Sequence, residues 1–216
     1  MILIGIFLLI GILLFLGNKV QKKYYYNTLT LMILVMAIIQ APLFYYYTSG
    51  MLAIFQLIPY LAIGVGLSIY LLLPFYKKTD QVKTKFHKFG LITAITIGLI
   101  SLLFGSIIVE KLDWEMRRKT RDAIVTNIKN EIQNRRTFDS YNIEKWNYPP
   151  ISNGSKEINI SKGEKGELTI RFYIDQGFID HFSAFVYTND SNELKRFYSS
   201  GASVKQLDYN WYRVSQ

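Results

Sequence analysis

Few residues in this chain have the chemistry of a catalyst, and they are scattered. Two histidines occur in 216 residues, His87 and His181. His181 follows Asp180 and stands one hairpin from Asp175, which is the composition of an acid–base pair. Neighbours along a strand point to opposite faces, so Asp180 and His181 are not expected to meet. His181 reads as a sheet or surface residue, and His87, inside a lysine-rich stretch, as a solvated loop residue. Cysteine is absent, which removes disulfides, thiolate metal sites and a cysteine nucleophile. No G-x-S-x-G, H-E-x-x-H or phosphate-binding loop pattern occurs. No catalytic residue, cofactor site or metal site is assigned, and the chain is not expected to be an enzyme.

Tyrosine offers a second kind of chemistry. Residues 24–47 read YYYNTLTLMILVMAIIQAPLFYYY, an uncharged run closed at each end by a triplet: Tyr24, Tyr25 and Tyr26, then Tyr45, Tyr46 and Tyr47. Stacked tyrosines can cage a quaternary ammonium ion. The spacing has a simpler account. From Tyr26 to Tyr45 a helix rises about 28 Å, close to the hydrocarbon thickness of a bilayer. An apolar ring with a hydroxyl rests at headgroup level, so the six residues are expected to be membrane-interface anchors.

The elements that would position these residues follow from hydropathy. Four stretches, 1–17, 28–46, 51–76 and 89–109, contain no charged residue and approach or exceed the roughly 20 residues a span needs. The formal charge of +9 divides unevenly. Residues 1–109 hold eight Lys and one Asp, whereas 110–216 hold 17 basic and 15 acidic residues. The excess therefore sits in loops between apolar segments, where it reports orientation rather than nucleic-acid binding. Lys19, Lys22 and Lys23 follow the first apolar run instead of preceding it, as in a retained helix entering N-terminus-out. The loop around 77–88 carries five Lys, while the turn at Thr48-Ser49-Gly50 carries none. Both termini are therefore expected outside the cytoplasm, with Lys111, Arg117, Arg118, Lys119 and Arg121 counting in the opposite direction. Small residues spaced by four, such as Ala37/Ala41, Ala62/Gly66, Ala94/Gly98 and Ser101/Gly105, permit close helix packing or a homo-oligomer. Gln40 and Gln56, at similar distances from the turn at Ser49, are expected to face each other as an intramembrane polar pair.

Beyond the fourth span the composition becomes that of a water-soluble domain. Leu112, Met116, Ile124, Ile128 and Ile132 recur every four residues, Thr120 fills the gap and Val125 adjoins, which predicts an amphipathic connecting helix over 110–136 with that stripe buried. Pro149-Pro150 lies outside any helix. Strands are predicted at 157–161, 167–174, 179–188, 193–199 and 209–215, with a short SVKQL run before the last. Leu168, Ile170, Phe172 and Ile174 are expected on one face.

The fold class is thus a four-helix transmembrane bundle (1–109) followed by a small α+β domain (137–216), one long helix covering an antiparallel sheet. Its outline resembles cystatin-like and NTF2-like domains, a likeness of layer order that licenses no function. Trp146, Tyr148, Trp211 and Tyr212, with Tyr187 and Phe197, crowd this domain, and alternation should leave either Trp211 or Tyr212 facing away from the helix. The first four are the candidate contacts for a protein partner. The expectation is a non-enzymatic bacterial plasma-membrane protein that presents an extracytoplasmic protein-binding or envelope-sensing domain. Its partners would be the bilayer and an envelope protein, without nucleic acid or cofactor. The alternative is a bundle that acts itself, in immunity or small-solute permeation, with the soluble domain as gate.

Overall fold

The structure is a computed structural model that describes residues 22–48, 53–76, 84–134, 140–142, 149–153, 157–163, 166–176 and 181–216. The first expected span, Trp146 and Tyr148 lie outside these residues. The helices are α1 (Lys22–Tyr47), α2 (Ala53–Tyr76), α3 (Lys85–Asn134) and α4 (Ser191–Ser199). The strands are β1 (Ser140–Asn142), β2 (Glu157–Lys162), β3 (Leu168–Gln176), β4 (Phe182–Thr188), β5 (Ser203–Asp208) and β6 (Trp211–Ser215). Two compact units result: Met1–Pro42 with Ile54–Ser106, and Leu43–Ala53 with Ile107–Gln216. The first change of unit falls at Pro42, which lies inside α1 and withholds one backbone donor there.

Among the described residues two helical segments, Tyr24–Tyr47 and Lys85–Ile132, are long and apolar enough to cross a membrane, and α2 contributes a shorter apolar stretch, Leu57–Leu73. In the first unit, small residues set the approach of α1 to α3. A Cβ added at Gly105 would lie 2.5 Å from the Ala41 Cβ, one at Gly90 2.8 Å from Thr30 Cγ2, and one at Gly98 would touch Ala37. Those small-residue positions of α1 and α3 therefore pack within the chain. Gly64 and Gly66 of α2 face open space.

The second unit is a six-stranded antiparallel sheet in the order β1-β2-β3-β4-β6-β5, with α3 on one face and α4 on the other. Ile170 pairs with Tyr187 and Phe172 with Phe185 across β3 and β4, and Tyr187 pairs with Trp211 on β6. These aromatic side chains meet α3, where Trp114 packs 5.2 Å from Phe185 and 5.4 Å from Trp211 between ring centroids. The alternation expected for β3 is present: Leu168, Ile170, Phe172 and Ile174 are all buried. On the other face Ala184, Val186 and Val214 form a second core with Phe197 and Ala202, flanked by Tyr173, Leu194 and Tyr212. A two-residue turn, Tyr209-Asn210, joins β5 to β6, and Asn210 takes the left-handed conformation (φ 61°) that asparagine tolerates.

Two sequence expectations are corrected here. Residues 193–199 form helix α4, not a strand. Asp190 caps it by accepting from the Asn192 amide (2.8 Å), and Leu194 and Phe197, three apart, put one apolar face on the sheet. The buried stripe of α3 also differs. Leu112 is 53 % and Met116 79 % exposed, whereas Asp113 is 3 % and Arg121 1 % exposed, with Trp114, Ile124, Val125 and Ile128 buried. Apolar residues four apart drift by about 40° per step around a helix. The stripe that begins at Leu112 therefore starts off the core face and reaches it only at Ile124, and Asp113 and Arg121 occupy that face in the turns before.

Candidate functional site

The densest polar cluster lies in the second unit and centres on the Asp113 carboxylate. Asp113, Arg117 and Arg121 are spaced by four on α3, so all three project from one face. Arg121 reaches back two turns to pair with Asp113 Oδ2 and also donates to the Asp113 carbonyl (3.2 Å). Its guanidinium lies 4.5 Å from the centroid of the Phe185 ring, and its Nε has no hydrogen-bond partner among the described residues. Arg117 donates to Asp113 Oδ1 (3.1 Å). The Tyr46 hydroxyl donates to the same oxygen (2.8 Å), and Tyr45 reaches Oδ2 at 3.5 Å. One carboxylate thus neutralises one of two guanidiniums and collects hydroxyl donors besides.

The chain around this carboxylate is built to close on it. Pro149 and Pro150 accept from Arg117 through their carbonyls, at 2.6 and 2.8 Å. Ser152 accepts from the Tyr173 amide (3.0 Å). Asn153 donates from one side-chain nitrogen to the Tyr45 carbonyl (2.6 Å) and the Ile174 carbonyl (2.8 Å). Tyr45 lies in the last turn of α1, where helix carbonyls lack intrahelical partners, so Asn153 satisfies one of them. Leu43–Tyr47, the 149–153 segment, α3 and β3 are thereby fastened at one point.

Several other charges of this unit are also paired. Arg118 pairs with Asp208 and lies 3.8 Å from Asp122, Arg213 pairs with Glu110 (3.0 Å), and Arg171 pairs with Glu193. The Trp211 indole donates to Asp122 (2.9 Å), and Lys129 donates to the Tyr187 hydroxyl (2.7 Å).

In the first unit the polar centre is His87. Expected in solvent, it is 0 % exposed in the first turn of α3, a correction that follows from where α3 begins. A carbonyl can only accept, so His87 Nε2–H donates to Leu71 of α2 (3.1 Å). Nδ1 then faces the Thr30 hydroxyl of α1 (2.6 Å), which also lies 2.8 Å from the Tyr26 carbonyl. His87 therefore joins three helices. Tyr26 adds a parallel stack on Tyr70 (5.8 Å) and an edge contact with His87 (5.6 Å). An apolar cavity of about 230 Å³ lies farther along these helices, with Gln40, Tyr60, Ser68 and Gly98 among its lining. Tyr60 and Ser68 turn their hydroxyls to backbone carbonyls (Met36, 2.5 Å; Gly64, 2.7 Å), so the wall stays apolar.

The residues singled out from sequence fall in different places. Trp211 is 2 % exposed and packs against α3, so it is a core residue and not a surface contact. Tyr212 takes the opposite face and is half-buried beneath α4. Among the six tyrosines expected to be anchors, Tyr24 and Tyr47 are exposed, while Tyr26, Tyr45 and Tyr46 have the protein partners just described. Gln40 is buried, and the Gln56 side chain lies outside the described residues. Sequence reasoning passed over two exposed aromatics of the second unit, Tyr198 on α4 and Tyr209 at the β5–β6 turn. Among the described residues no group of three or more His, Asp or Glu could hold a metal. Comparison with protein-family models, with curated proteins and with solved structures finds no match.

Proposed function

We propose that this is a four-span bacterial membrane protein whose second unit is a rigid, non-enzymatic platform for an extracytoplasmic protein partner. The observation that carries the reading is the use of charge in that unit: Asp113, Arg117, Arg121, Arg118, Asp208, Arg213, Glu110, Arg171 and Glu193 are all engaged in internal pairs. Beside them lie β5, an edge strand among the described residues, and the neighbouring exposed Tyr209. An edge strand offers unpaired backbone groups to an incoming chain, and an exposed aromatic offers an anchor.

Membrane residence is supported by the side chains that α1, α2 and α3 leave uncovered, among them Leu31, Ile58, Ile69, Leu99 and Phe104. Such surfaces need lipid around them.

The test places a photo-crosslinking residue at position 209 or at the Tyr212 control, together with a C-terminal tag, in intact cells. The expected result is a discrete crosslinked envelope protein from 209 only, with the tag removed by external protease. A tag protected until lysis, or no adduct from 209, overturns the reading.

A further inference from the structure

We infer that the outer face of α3 from Ile107 to Met116 is a lipid-docking surface, which seats the start of the second unit in the headgroup layer of the bilayer. The inference rests on the membrane reading above and goes beyond it. On sequence grounds the span ends at Val109, with water beyond. A helix of a water-soluble domain turns its charges outward and its apolar residues inward. From Ile107 to Arg121, α3 departs from that rule on part of its surface, although Trp114 is buried. Asp113, Arg117 and Arg121 face the protein, while Ile107, Ile108, Leu112 and Met116 are exposed. Single exposed apolar residues are ordinary. Here four lie within ten residues of one helix, continuous with an apolar span and backed by the polar cluster on the other side.

Depth and direction agree. Leu112 and Met116 follow Val109 by about 4.5 and 10 Å of helix, and the polar layer on each side of the hydrocarbon is about 5–8 Å thick. Helical side chains lean toward the helix N-terminus, so both residues cover the turn before their own and reach back toward the span. Tyr46 is hydrogen-bonded to Asp113, so α3 at residue 113 stands level with the second tyrosine triplet, and Tyr47 of that triplet is exposed. The exposed charges on this side of α3 include Lys111, Glu115 and Lys119, spaced by four, and Arg118, which is paired with Asp208. Their balance is positive, which complements lipid phosphate, and lysine stems can lie along apolar surface while the ammonium stays among headgroups.

The chain contains no cysteine, so single cysteines can be introduced into the full-length protein without other changes. Ile100→Cys, Leu112→Cys, Met116→Cys and Ala123→Cys, each carrying a bimane label, would be reconstituted in phosphatidylcholine–phosphatidylglycerol vesicles. Emission would be read against iodide in the water and against lipids carrying a nitroxide at shallow or deep positions. The expected result is loss of emission at 112 and 116 with the shallow lipid quencher, little loss with iodide, and the opposite pattern at 123. Iodide quenching at 112 and 116 equal to that at 123 overturns the inference. Protection from both quenchers also overturns it, since a protein would then cover the face. The Ile100 position separates the two readings: if the deep lipid quencher fails there too, the membrane reading itself falls.

Discussion

The two tyrosine triplets of α1 are identical in composition and differ in what meets them. At the first, Tyr26 finds aromatic and neutral partners, Tyr70 and His87, and the junction of three helices is held by hydrogen bonds to Thr30 and to a backbone carbonyl. At the second, Tyr45 and Tyr46 meet a buried carboxylate that is already paired with two arginines. The same side chain is thus a ring in one place and a hydroxyl in the other. The second junction joins segments far apart in sequence, and it does so with charge. The sequence repeats the triplet; the partners decide whether each copy carries packing or a lock.

The contrast breaks most easily at Asp113. Asp113→Ala leaves Arg121 buried without a counter-ion and should cost about 3–5 kcal/mol. The reading is the midpoint of chemical denaturation in detergent, followed by circular dichroism. Asp113→Leu with Arg121→Met, which removes both charges, should recover most of that loss; failure to recover would mean the pair does more than satisfy itself.

His87→Ala tests the other triplet and should cost less, about 1–3 kcal/mol for two interhelical hydrogen bonds and the vacated volume. An effect equal to that of Asp113→Ala would erase the difference between the two junctions. Tyr46→Phe keeps the ring and removes one donor to a carboxylate that retains its arginines, for a loss of about 1.5 kcal/mol. Tyr47→Phe, at an exposed position, should stay within about 0.5 kcal/mol in the same assay, and a larger effect would give Tyr47 a partner that the contrast denies it.

Much of the second unit was legible because its two sheet faces differ in polarity. Leu168, Ile170, Phe172 and Ile174 alternate with polar or half-exposed neighbours, and period-two patterning reports such a sheet directly. Helix α4 was misread because ELKRFYS also fits a strand; the deciding residue was Asp190, a cap that lies before the segment and outside its periodicity. The Asp113 cluster was illegible for a different reason. Three charges spaced by four on a helix ordinarily face water, and what makes them face inward is 67 residues upstream in Tyr46 and 32 residues downstream in Pro149. His87 was hidden by its lysine neighbours, since local charge says nothing of the one side chain in a helical turn that points at two other helices.

The aromatic contact between α3 and the sheet has a consequence for optics. All three tryptophans, Trp114, Trp146 and Trp211, lie beyond residue 109, and two of them meet with ring centroids 5.4 Å apart at 68°. Indoles held that close in a fixed, asymmetric packing should give a near-ultraviolet circular dichroism band from a contact 97 residues apart in sequence. The band vanishes when β6 leaves α3, whatever the apolar helices do. The protein thus carries its own chromophore for the second unit, and the first is silent at that wavelength except through tyrosine.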